Sequence, residues 1–510
     1  MLEFNHVTVG FGGTPVLAEV SFLAPEGRWM LVCGAAGSGK STLMMTAAGV
    51  VPRLIPAGPF SGTVNLSGQS LSSISNDELF TRVGIVMQNV EEQMWDLGVE
   101  DLIAMALENR GRPKSEIRTR LEAIIRQFHI ERLAGRRVLS LSGGERRMVA
   151  IAAAIAAEPE ILVLDEPTTG LDPDARHRLV SILSGLRGKV PMLIVSEQDP
   201  ASVAEISDDV ALLKNGGLTP PVPLDDIFEK AVPWLEVGIL PPTRRRSASP
   251  PAGPDAGSEV LAVRGLKTKL HRPDGTPVLA DASLTIHGGE TVALVGRNGA
   301  GKTTLFQSIL GLADIEAGSI TIGGHYADDW TPARRARQIA YLPQNMRRIL
   351  FNMTVREEVL FAITAGKPVG EGDGEKADAA LASYGVSDLA EANPFALSSR
   401  QQALLGLACA EAAGSLLAIL DEPLLARDLN GRRLLEQFRD RATAEGRAIL
   451  LITHDLELVD DIATRALLLD DGVIVQDGAT AELWKSEAYS KLGWPGPRAI
   501  VEAEVSDARS

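Results

Sequence analysis

The chain carries two glycine-rich segments, each with a lysine at the position that phosphate-binding loops use. Residues 34–42 are GAAGSGKST and residues 296–304 are GRNGAGKTT, and each segment follows an apolar run that predicts a buried strand. Glycines let backbone N–H groups turn toward a polyphosphate, and the lysine reaches its terminal phosphates. In the second segment, the helix predicted to begin at Thr303, directly after the lysine, points its positive end at the same anion. Both segments therefore predict a nucleoside triphosphate site.

The residues predicted to surround the phosphates are glycines, residues with a hydroxyl or amide side chain, and the two lysines. In the first segment they are Gly34, Gly37, Gly39, Lys40, Ser41 and Thr42, and in the second they are Gly296, Asn298, Gly299, Gly301, Lys302, Thr303 and Thr304. The hydroxyl next to each lysine, on Ser41 or Thr303, is predicted to reach Mg²⁺.

Two further apolar runs end in a pair of acids. Ile161–Pro167 is ILVLDEP and Leu417–Pro423 is LAILDEP. An aspartate at a strand end beside a phosphate loop holds Mg²⁺, directly or through water. The glutamate after it is placed to orient or deprotonate an attacking water. The pairs therefore predict hydrolysis of a phosphoanhydride, whereas an acidic strand end that merely caps a helix is the structural alternative.

The two sets of motifs recur at nearly constant spacing. Lys40 and Lys302 lie 262 residues apart, and the later motifs lie 256 residues apart. One shift of six residues accounts for the difference, and such regularity indicates tandem duplication. We predict one domain over residues 1–217 and a second over residues 259–491.

The order of elements within each copy predicts the fold class. Each copy opens with short β-type runs and continues through strand, phosphate loop and helix. A stretch rich in helix formers follows, at Glu100–Leu133 or Val355–Leu389, before the strand that ends in two acids. This order predicts an α/β core with a predominantly parallel sheet and a helical insert.

The segments outside the two copies are rich in proline, glycine and serine. Residues 218–258 are predicted to be a linker, with a short ordered piece over Leu224–Leu240, and residues 492–510 a flexible tail.

Composition excludes some classes of partner and compartment. The formal charge is −16, which argues against a large surface for nucleic-acid phosphates. No apolar run is long enough to span a bilayer, and the N-terminal residues lack the pattern of a secretory signal. We therefore expect no nucleic-acid partner, no transmembrane segment and a cytosolic location.

Two short strings identify the class of phosphate chemistry. LSGGE (Leu141–Glu145, the signature segment) and TTGLD (Thr168–Asp172) accompany the phosphate loops and paired acids. Together they resemble the nucleotide-binding domain of ATP-binding-cassette (ABC) ATPases. The resemblance covers about Leu2–Gly217 and Val260–Lys491. It implies two tandem P-loop NTPase domains, each with a mainly parallel sheet core, an antiparallel β piece and a helical subdomain.

The resemblance also implies how the domains would use ATP and Mg²⁺. In that family two domains sandwich two ATP molecules head to tail, so that the signature segment of one domain faces the phosphate loop of the other. The residues implied to face the γ-phosphate are Ser142, Gly143, Gly144 and Glu145. Because both domains lie on one chain, the closed dimer would be intramolecular.

Other family roles transfer to matching positions of this chain. Gln88 and Gln344 are implied to sense Mg²⁺, which Asp165 and Asp421 would also hold. Glu166 and Glu422 would act on the attacking water, and Gln198 and His454 stand at the switch position that contacts the γ-phosphate. Phe11 stands where the family places an aromatic residue against adenine, although a core position is an equal alternative.

A narrower resemblance surrounds the two glutamines. MQNVEEQMWDLGVEDLIAMALEN and PQNMRRILFNMTVREEVLF resemble the corresponding region of energy-coupling-factor (ECF) importer ATPases. That resemblance implies docking on a transmembrane T component that carries a substrate-binding S component, at the cytoplasmic face of the membrane. The apolar residues implied to face the membrane partner are Met94, Trp95, Leu97, Ile349, Leu350 and Phe351. The cargo would be a vitamin or a transition metal.

The two copies differ at chemically important positions. In the second copy the signature segment has become LSSRQ, with Ser399 and Arg400 in place of two glycines. In the first copy Gln198 replaces the switch histidine that the second copy keeps as His454. Under head-to-tail pairing both lesions fall on the site of Lys40, so we expect one competent site, at Lys302, and one slow or silent site.

Two alternative functions remain open at this stage. The duplicated ATPase of a sugar-type importer also carries two unequal copies. A soluble tandem cassette protein acting on ribosomes would be expected to show a charged helical connector and basic surfaces, which this acidic chain with its proline-rich connector does not predict.

Overall fold

The structure is a computed structural model of the 510-residue chain, and it describes residues 1–90, 94–243, 257–272 and 274–497. The chain divides into two compact units, formed mainly by residues 1–245 and by residues 246–426 with 430–499.

An antiparallel sheet opens the first unit. Its strands are β1 (Leu2–Phe11), β2 (Thr14–Ala24), β4 (Phe60–Leu66) and β5 (Gln69–Ser70), in the order β2-β1-β4-β5. Residues alternate along β1 between buried and more accessible positions, with Leu2 and Phe4 almost fully buried. Such alternation is typical of a sheet that packs one face on a core.

The central sheet of the first unit is mostly parallel. Its strands are β3 (Trp29–Cys33), β6 (Val83–Val86), β7 (Ile161–Asp165), β8 (Met192–Glu197), β9 (Asp209–Lys214), β10 (Gly217–Leu218) and β11 (Val222–Pro223). The order is β10-β9-β3-β8-β7-β6, with β11 paired to β9, and only β10 and β11 run antiparallel to their neighbour. All five residues of β3 are buried, as expected for a strand covered on both faces.

Helices cover the central sheet of the first unit and form a helical subdomain. The α-helices described are Lys40–Ala47, Asn76–Arg82, Val99–Glu108, Lys114–Gln127, Gly143–Ala156, Pro173–Ser184, Leu224–Ile227 and Ala231–Glu236.

The second unit repeats this architecture. Its antiparallel sheet contains β12 (Glu259–Thr268), β13 (Ala282–His287), β15 (Ile315–Ile322) and β16 (His325–Tyr326), in the order β13-β12-β15-β16. Its central sheet contains β14 (Thr291–Val295), β17 (Ile339–Leu342), β18 (Leu417–Asp421), β19 (Ala448–Ile452), β20 (Arg465–Asp470) and β21 (Val473–Ala479). The order is β17-β18-β19-β14-β20-β21, parallel except for β21.

The helices of the second unit follow the same sequence of roles. They are Lys302–Leu310, Pro332–Arg335, Val355–Thr364, Asp373–Ser383, Ser399–Ala413, Leu429–Ala444, Leu456–Ile462, Thr480–Leu483 and Glu487–Leu492. The predicted fold class, two tandem α/β domains with parallel sheet cores, antiparallel pieces and helical subdomains, is confirmed.

Sheet order explains why the motifs meet. In the first unit the strands that precede the phosphate loop, the paired acids and the switch residue are β3, β7 and β8, which are adjacent and parallel. The carboxyl ends of parallel strands lie at one edge of the sheet, where such folds place their ligands. The second unit brings β14, β18 and β19 together in the same way.

Part of the predicted linker belongs to the first unit. Trp234 is fully buried in the core cluster of the helical side of that unit, and its indole N–H donates to the carbonyl of Ile227 at 3.1 Å. The ordered piece expected at Leu224–Leu240 therefore extends the first unit to about residue 242. The basic end of the predicted linker lies outside the described residues.

Part of the predicted tail likewise belongs to the second unit. Leu492 and Trp494 are buried in a cluster against β14 and β20. Residues 498–510 of the predicted tail lie outside the described residues. No helix in the described part of the chain has the length and apolar character needed to cross a membrane.

Candidate functional site

The first phosphate loop connects β3 to the helix Lys40–Ala47. Lys40 Nζ donates to the carbonyls of Gly34 at 2.8 Å and Ala35 at 3.0 Å, so the lysine is held across the loop. Gly39 has φ of 107°, a conformation that L side chains rarely adopt. A Cβ at Gly34 would lie 2.4 Å from the carbonyl oxygen of Leu213. Both glycines are therefore required by the backbone of the loop.

The second phosphate loop has the same construction. Lys302 Nζ donates to the carbonyls of Gly296 at 2.6 Å and Arg297 at 3.0 Å. Gly301 has φ of 113°, and a Cβ at Gly296 would lie 2.3 Å from the carbonyl oxygen of Leu469. The two loops are thus equivalent as phosphate cradles.

Glu166 lies at the centre of a buried network in the first unit. Its carboxylate accepts hydrogen bonds from Gln198 Nε2 at 2.7 Å and Gln88 Nε2 at 2.9 Å. Lys40 Nζ lies 3.3 Å from Oε1, and Thr169 Oγ1 donates to Oε2 at 3.3 Å. The structure therefore brings together the lysine, the glutamate, the glutamine and the switch residue that the sequence predicted for this unit.

The charges around this network set the protonation of its two acids. Burial acts to raise the pKa of Glu166, but the ammonium of Lys40 leads the opposing effects and holds the pKa below its usual value. Asp165 has a pKa raised by burial and by the neighbouring charge of Glu166. Its Oδ1 accepts from Ser196 Oγ at 2.5 Å. Glu166 is consequently held as a carboxylate by fixed donors.

Hydroxyl donors also hold the two acids of the second unit. Tyr341 OH donates to Asp421 at 3.2 Å, and burial raises the pKa of Asp421 to about 6. Thr453 Oγ1 donates to Glu422 at 3.2 Å. Glu422 has φ of 49° and Glu166 has φ of 46°, so both glutamates occupy the left-handed region that non-glycine residues usually avoid. Strain of this kind concentrates at functional sites.

The switch histidine lies between the phosphate loop and the glutamate of its own unit. His454 Nε2 is 2.9 Å from Asn298 Oδ1 and 3.5 Å from Glu422 Oε1. The side chain is buried. A protonated imidazole could donate to either oxygen, and a γ-phosphate placed beside Asn298 would be within reach of the same ring. The contact of His454 with γ-phosphate stays a prediction.

The donor set at each sheet edge fits Mg²⁺. Asp165 Oδ2 is buried and accepts no hydrogen bond from a described residue, so it is open to a cation. No group of three or more His, Cys, Asp or Glu side chains suited to a metal occurs in the described part of the chain. Mg²⁺ is commonly bound by one or two carboxylates together with phosphate oxygens and water. The predicted ligands Ser41 with Asp165, and Thr303 with Asp421, suit that mode.

The signature serine begins a helix in both units. Ser142 caps the helix Gly143–Ala156 in a capping box with Glu145, and Ser398 caps Ser399–Ala413 in a capping box with Gln401. The Ser142 hydroxyl donates to Glu145 Oε2 at 2.9 Å. Such a box satisfies two backbone donors at the start of a helix. Ser142 and Glu145 therefore have a structural role, which the sequence spacing S-x-x-E could have revealed.

The two helix starts differ in the glycines of the signature segment, which only the first unit has. A Cβ at Gly143 would meet no atom within 4 Å, and at Gly144 it would meet only Leu171, at 3.1 Å. The fold of the first unit therefore does not require Gly143. At the matching positions the second unit carries Ser399 and Arg400 with an intact capping box. Loss of the glycines alters the surface offered to a ligand and leaves the helix unchanged.

Arg147 is a buried residue that the sequence analysis missed. Its guanidinium donates to the carbonyls of Gln88 at 2.8 Å, Glu166 at 3.1 Å and Thr169 at 2.7 Å. Burial lowers its pKa to about 10. Arg147 ties the glutamine segment to the end of β7, and the second unit has Ala403 at the matching position. The only sequence signal for Arg147 is its position two residues after the signature segment.

Glu197 is a second buried residue that was missed. Its carboxylate accepts from the backbone N–H of Thr168 at 2.9 Å and from Thr168 Oγ1 at 2.8 Å. Burial, with a contribution from the charge of Glu166, raises its pKa to about 7. The second unit has Thr453 at this position. The first unit therefore differs from the second at two adjacent positions, with Glu197 and Gln198 in place of a threonine and the switch histidine.

Replacement of Glu197 by glutamine is expected to change the pH dependence of stability. The folded state binds the Glu197 proton up to about pH 7 and the unfolded state only up to about 4.5, so folding takes up a proton between these values. Stability from this group is present below pH 4.5 and is lost as the pH rises to 7. Glu197→Gln should exceed the parent's free energy of unfolding by no more than about 1 kcal/mol at pH 5 and by about 3 kcal/mol at pH 8. Urea unfolding at both pH values measures the difference, with the exposed Glu205→Gln as control. An equal difference at both pH values would contradict the expectation.

Some predicted residues lie away from these networks. Phe11 is half-buried and packs against the core beside the antiparallel sheet, which agrees with the core alternative raised for it. Gln344 and Thr303 are exposed, whereas Gln88 is half-buried against Glu166. The glutamine segments of the two units therefore differ in how closely they approach their acids.

A family model shows the class to which these sites belong. The model described as ABC transporter matches residues 17–169 and 279–425, which together make up more than half of the chain. The two matches include both phosphate loops and both pairs of acids.

Curated relatives match across nearly the whole chain. One, named as an ABC transporter ATP-binding protein of Methanosarcina mazei, is 31% identical over 95% of this chain and 90% of its own. Another, named as an HMP/thiamine import ATP-binding protein of Bacillus subtilis, is 29% identical over 93% of this chain and 90% of its own.

One solved structure resembles the chain over most of its length. A model of ribosome-bound archaeal Pelota and ABCE1 is 20% identical, with a TM-score of 0.65, over 93% of this chain and 79% of that one. At this identity the likeness shows the fold alone. The repeated phosphate loops and paired acids, the family match and the full-length relatives lead to one conclusion: the chain belongs to the ABC transporter family, as an ATP-binding, ATP-hydrolysing protein with two tandem ATPase domains.

Proposed function

We propose that the chain is the energising ATPase subunit of an ECF-type importer for a vitamin or a transition metal, with one competent and one slow ATP site. The proposal that the two sites are unequal rests on the contacts made by the residues at the two switch positions. His454 lies between Asn298 and Glu422 in the second unit, whereas Gln198 is bonded to Glu166 in the first.

The competent site in this proposal uses the phosphate loop of the second unit. Lys302 binds the terminal phosphates, Glu422 orients and deprotonates the attacking water, and His454 donates to the γ-phosphate. Mg²⁺, held by Thr303 and Asp421, would neutralise charge that develops on the phosphate oxygens. By family analogy the intact glycines Gly143 and Gly144 complete this site.

The slow site in this proposal uses the phosphate loop of the first unit. Gln198 can donate a hydrogen bond but cannot be a cation, and its amide is directed at Glu166. The signature segment that family analogy pairs with this site carries Ser399 and Arg400. ATP binding through Lys40 would survive these changes better than hydrolysis.

Exposed apolar side chains beside the glutamine segments support docking on a membrane subunit. Trp95 is 76% exposed in the first unit, and Phe351 and Met353 are 59% and 72% exposed in the second. Phe351 packs edge-on against the exposed Phe361, with ring centroids 4.7 Å apart. Clusters of this kind on a surface mark sites of protein interaction. Of the other residues predicted to face a partner, Leu350 is buried in the core, so it packs inside its own unit.

The relative named for HMP/thiamine import supports the narrower assignment to vitamin import. In an ECF-type complex the partners of this chain would be a T component and an S component. The chain would then lie at the cytoplasmic face of the membrane, and the S component would select the cargo.

The proposal is tested by purifying the tagged full-length chain from solubilised membranes of its own cells. We expect recovery of integral membrane proteins, identified by mass spectrometry, with one T-like and one S-like component. Trp95→Glu and Phe351→Glu should remove both, because a charge on an apolar contact opposes docking. Leu54→Glu and Leu312→Glu, at apolar positions that are 55% and 63% exposed and outside the glutamine segments in sequence, serve as controls and should retain them. Recovery of ribosomal subunits in place of membrane proteins would overturn the proposal.

A further inference from the structure

The last described helix of the second unit ends against the phosphate loop of the same unit. Ser486 caps the helix Glu487–Leu492, and Gly493 ends it with φ of 69°. Leu492 and Trp494, on either side of this glycine, are buried in a cluster with residues of β14, the strand that leads into the phosphate loop. The end of the second unit is therefore part of the support of its ATP site.

Two contacts connect this helix end to candidate site residues. Arg297, inside the phosphate loop, donates through its guanidinium to the carbonyl of Leu492 at 2.7 Å. The indole of Trp494 meets the imidazole of His454 edge-on, with ring centroids 6.3 Å apart and an angle of 73° between the planes. Trp494 is only 6% exposed, and its position is fixed by the surrounding cluster.

The contact with Trp494 adds an aromatic ring to the surroundings of the histidine. Asn298 and Glu422 offer oxygens to His454 Nε2, as described above, and an imidazole with two such acceptors can turn between them. Aromatic rings prefer edge-to-face contacts of this geometry, which restrict the orientation of the ring. A tryptophan fixed by its own core would hold the imidazole in one rotamer.

The first unit offers an internal comparison. There the helix Ala231–Glu236 is followed by Val237 and then by Gly238, which has φ of 78°. Ala35 N, in the phosphate loop, donates to the carbonyl of Val237 at 3.3 Å. The residue that matches Trp494 after the turn is Ile239, and the switch residue is Gln198. The support of the phosphate loop is thus common to both units, and the aromatic residue occurs in the unit that has the histidine.

We propose that Trp494 is a positioning residue that holds His454 in the orientation needed for ATP hydrolysis at the second phosphate loop. The proposal rests on the role given to His454 under the proposed function. Trp494 lies at the end of the second unit, outside all of the sequence motifs.

The test measures steady-state ATP hydrolysis by the full-length chain. Trp494→Leu, which keeps apolar bulk and removes the aromatic edge, should lower kcat by about tenfold, the size of effect that loss of one aromatic contact corresponds to. KM for ATP should change by less than about twofold, since the phosphate loop is intact. Trp494→Phe should restore kcat to within about threefold of the parent, because a ring edge is again present. Trp484→Phe, in the same cluster, is the control for packing.

A double-mutant cycle separates this proposal from the role of His454 itself. In a His454→Gln background, Trp494→Leu should lower kcat by less than about twofold, because the ring that it positions is gone. The same tenfold loss in both backgrounds would overturn the proposal, as would parental kcat in Trp494→Leu. Parental kcat in His454→Gln alone would instead contradict the proposed function. Thermal unfolding of each variant excludes loss of the fold as the cause.

Discussion

Glu422→Gln is expected to lower the ATPase kcat of the full-length chain by about a thousandfold, whereas Glu166→Gln should lower it by less than about threefold. Glutamine keeps the size of the side chain but removes the carboxylate that activates water. In the proposed function Glu422 acts as the base, and its Oε1 lies 3.5 Å from His454 Nε2. Glu166 is held by Lys40 and two glutamine amides in a unit whose switch residue is Gln198.

The paired substitutions control for each other, since each changes one carboxylate into an amide at the same position of a duplicated fold. ATP binding should be retained in both variants, because neither changes a phosphate loop. Equal losses of kcat, or a larger loss in Glu166→Gln, would contradict the assignment of the competent site to the second unit.

Gly143→Ser should lower kcat by about a hundredfold, the typical effect of losing one contact made in the transition state. A Cβ at Gly143 meets no atom within 4 Å, so the first unit should fold and the capping box of Ser142 should remain. Under the proposed pairing of this segment with the second phosphate loop, the added side chain would stand where the backbone approaches the γ-phosphate. The expected loss therefore comes from the ligand surface and leaves stability unchanged.

The reverse change supplies the matched control. Ser399→Gly should leave kcat within about threefold of the parent, because the site that it would serve also lacks the switch histidine. Thermal unfolding checks that both variants are folded. A parental kcat in Gly143→Ser would show that the signature segment of the first unit does not serve the competent site.

The fold and the phosphate sites could be predicted because their signals are local. The glycines around Lys40 and Lys302 follow apolar runs that are typical of buried strands. The paired acids lie at the ends of two more such runs, β7 and β18. Sheet order then brings them together, as parallel strands must. Because the chain is duplicated, the phosphate loop and the paired acids each occur twice, and each occurrence supported the interpretation of the other.

The capping boxes were missed because the signature segment was interpreted only as a ligand surface. Ser142 with Glu145, and Ser398 with Gln401, have the spacing of a helix start. Since this feature is present in both units, the serines do not account for the proposed difference between the two sites. The two segments differ instead at Gly143 and Gly144, which are replaced by Ser399 and Arg400 in the second unit.

The residues that support the sites from a distance could not be predicted. Arg147 reaches carbonyls on two other segments, and Trp494 reaches His454 from the end of the unit. Such contacts depend on tertiary packing and have no fixed spacing in sequence. For the same reason Trp494 was assigned to a flexible tail, although it is buried in a core.

The most direct test of two chemically unequal sites is a single-turnover measurement. The full-length chain is loaded with radiolabelled ATP and Mg²⁺, freed of excess nucleotide, and quenched at increasing times. We expect half of the bound ATP to be cleaved in a fast phase, and the other half to persist at least about a hundredfold longer. The fast phase should disappear in Lys302→Ala and remain in Lys40→Ala. Cleavage of all bound ATP in one phase would contradict the account.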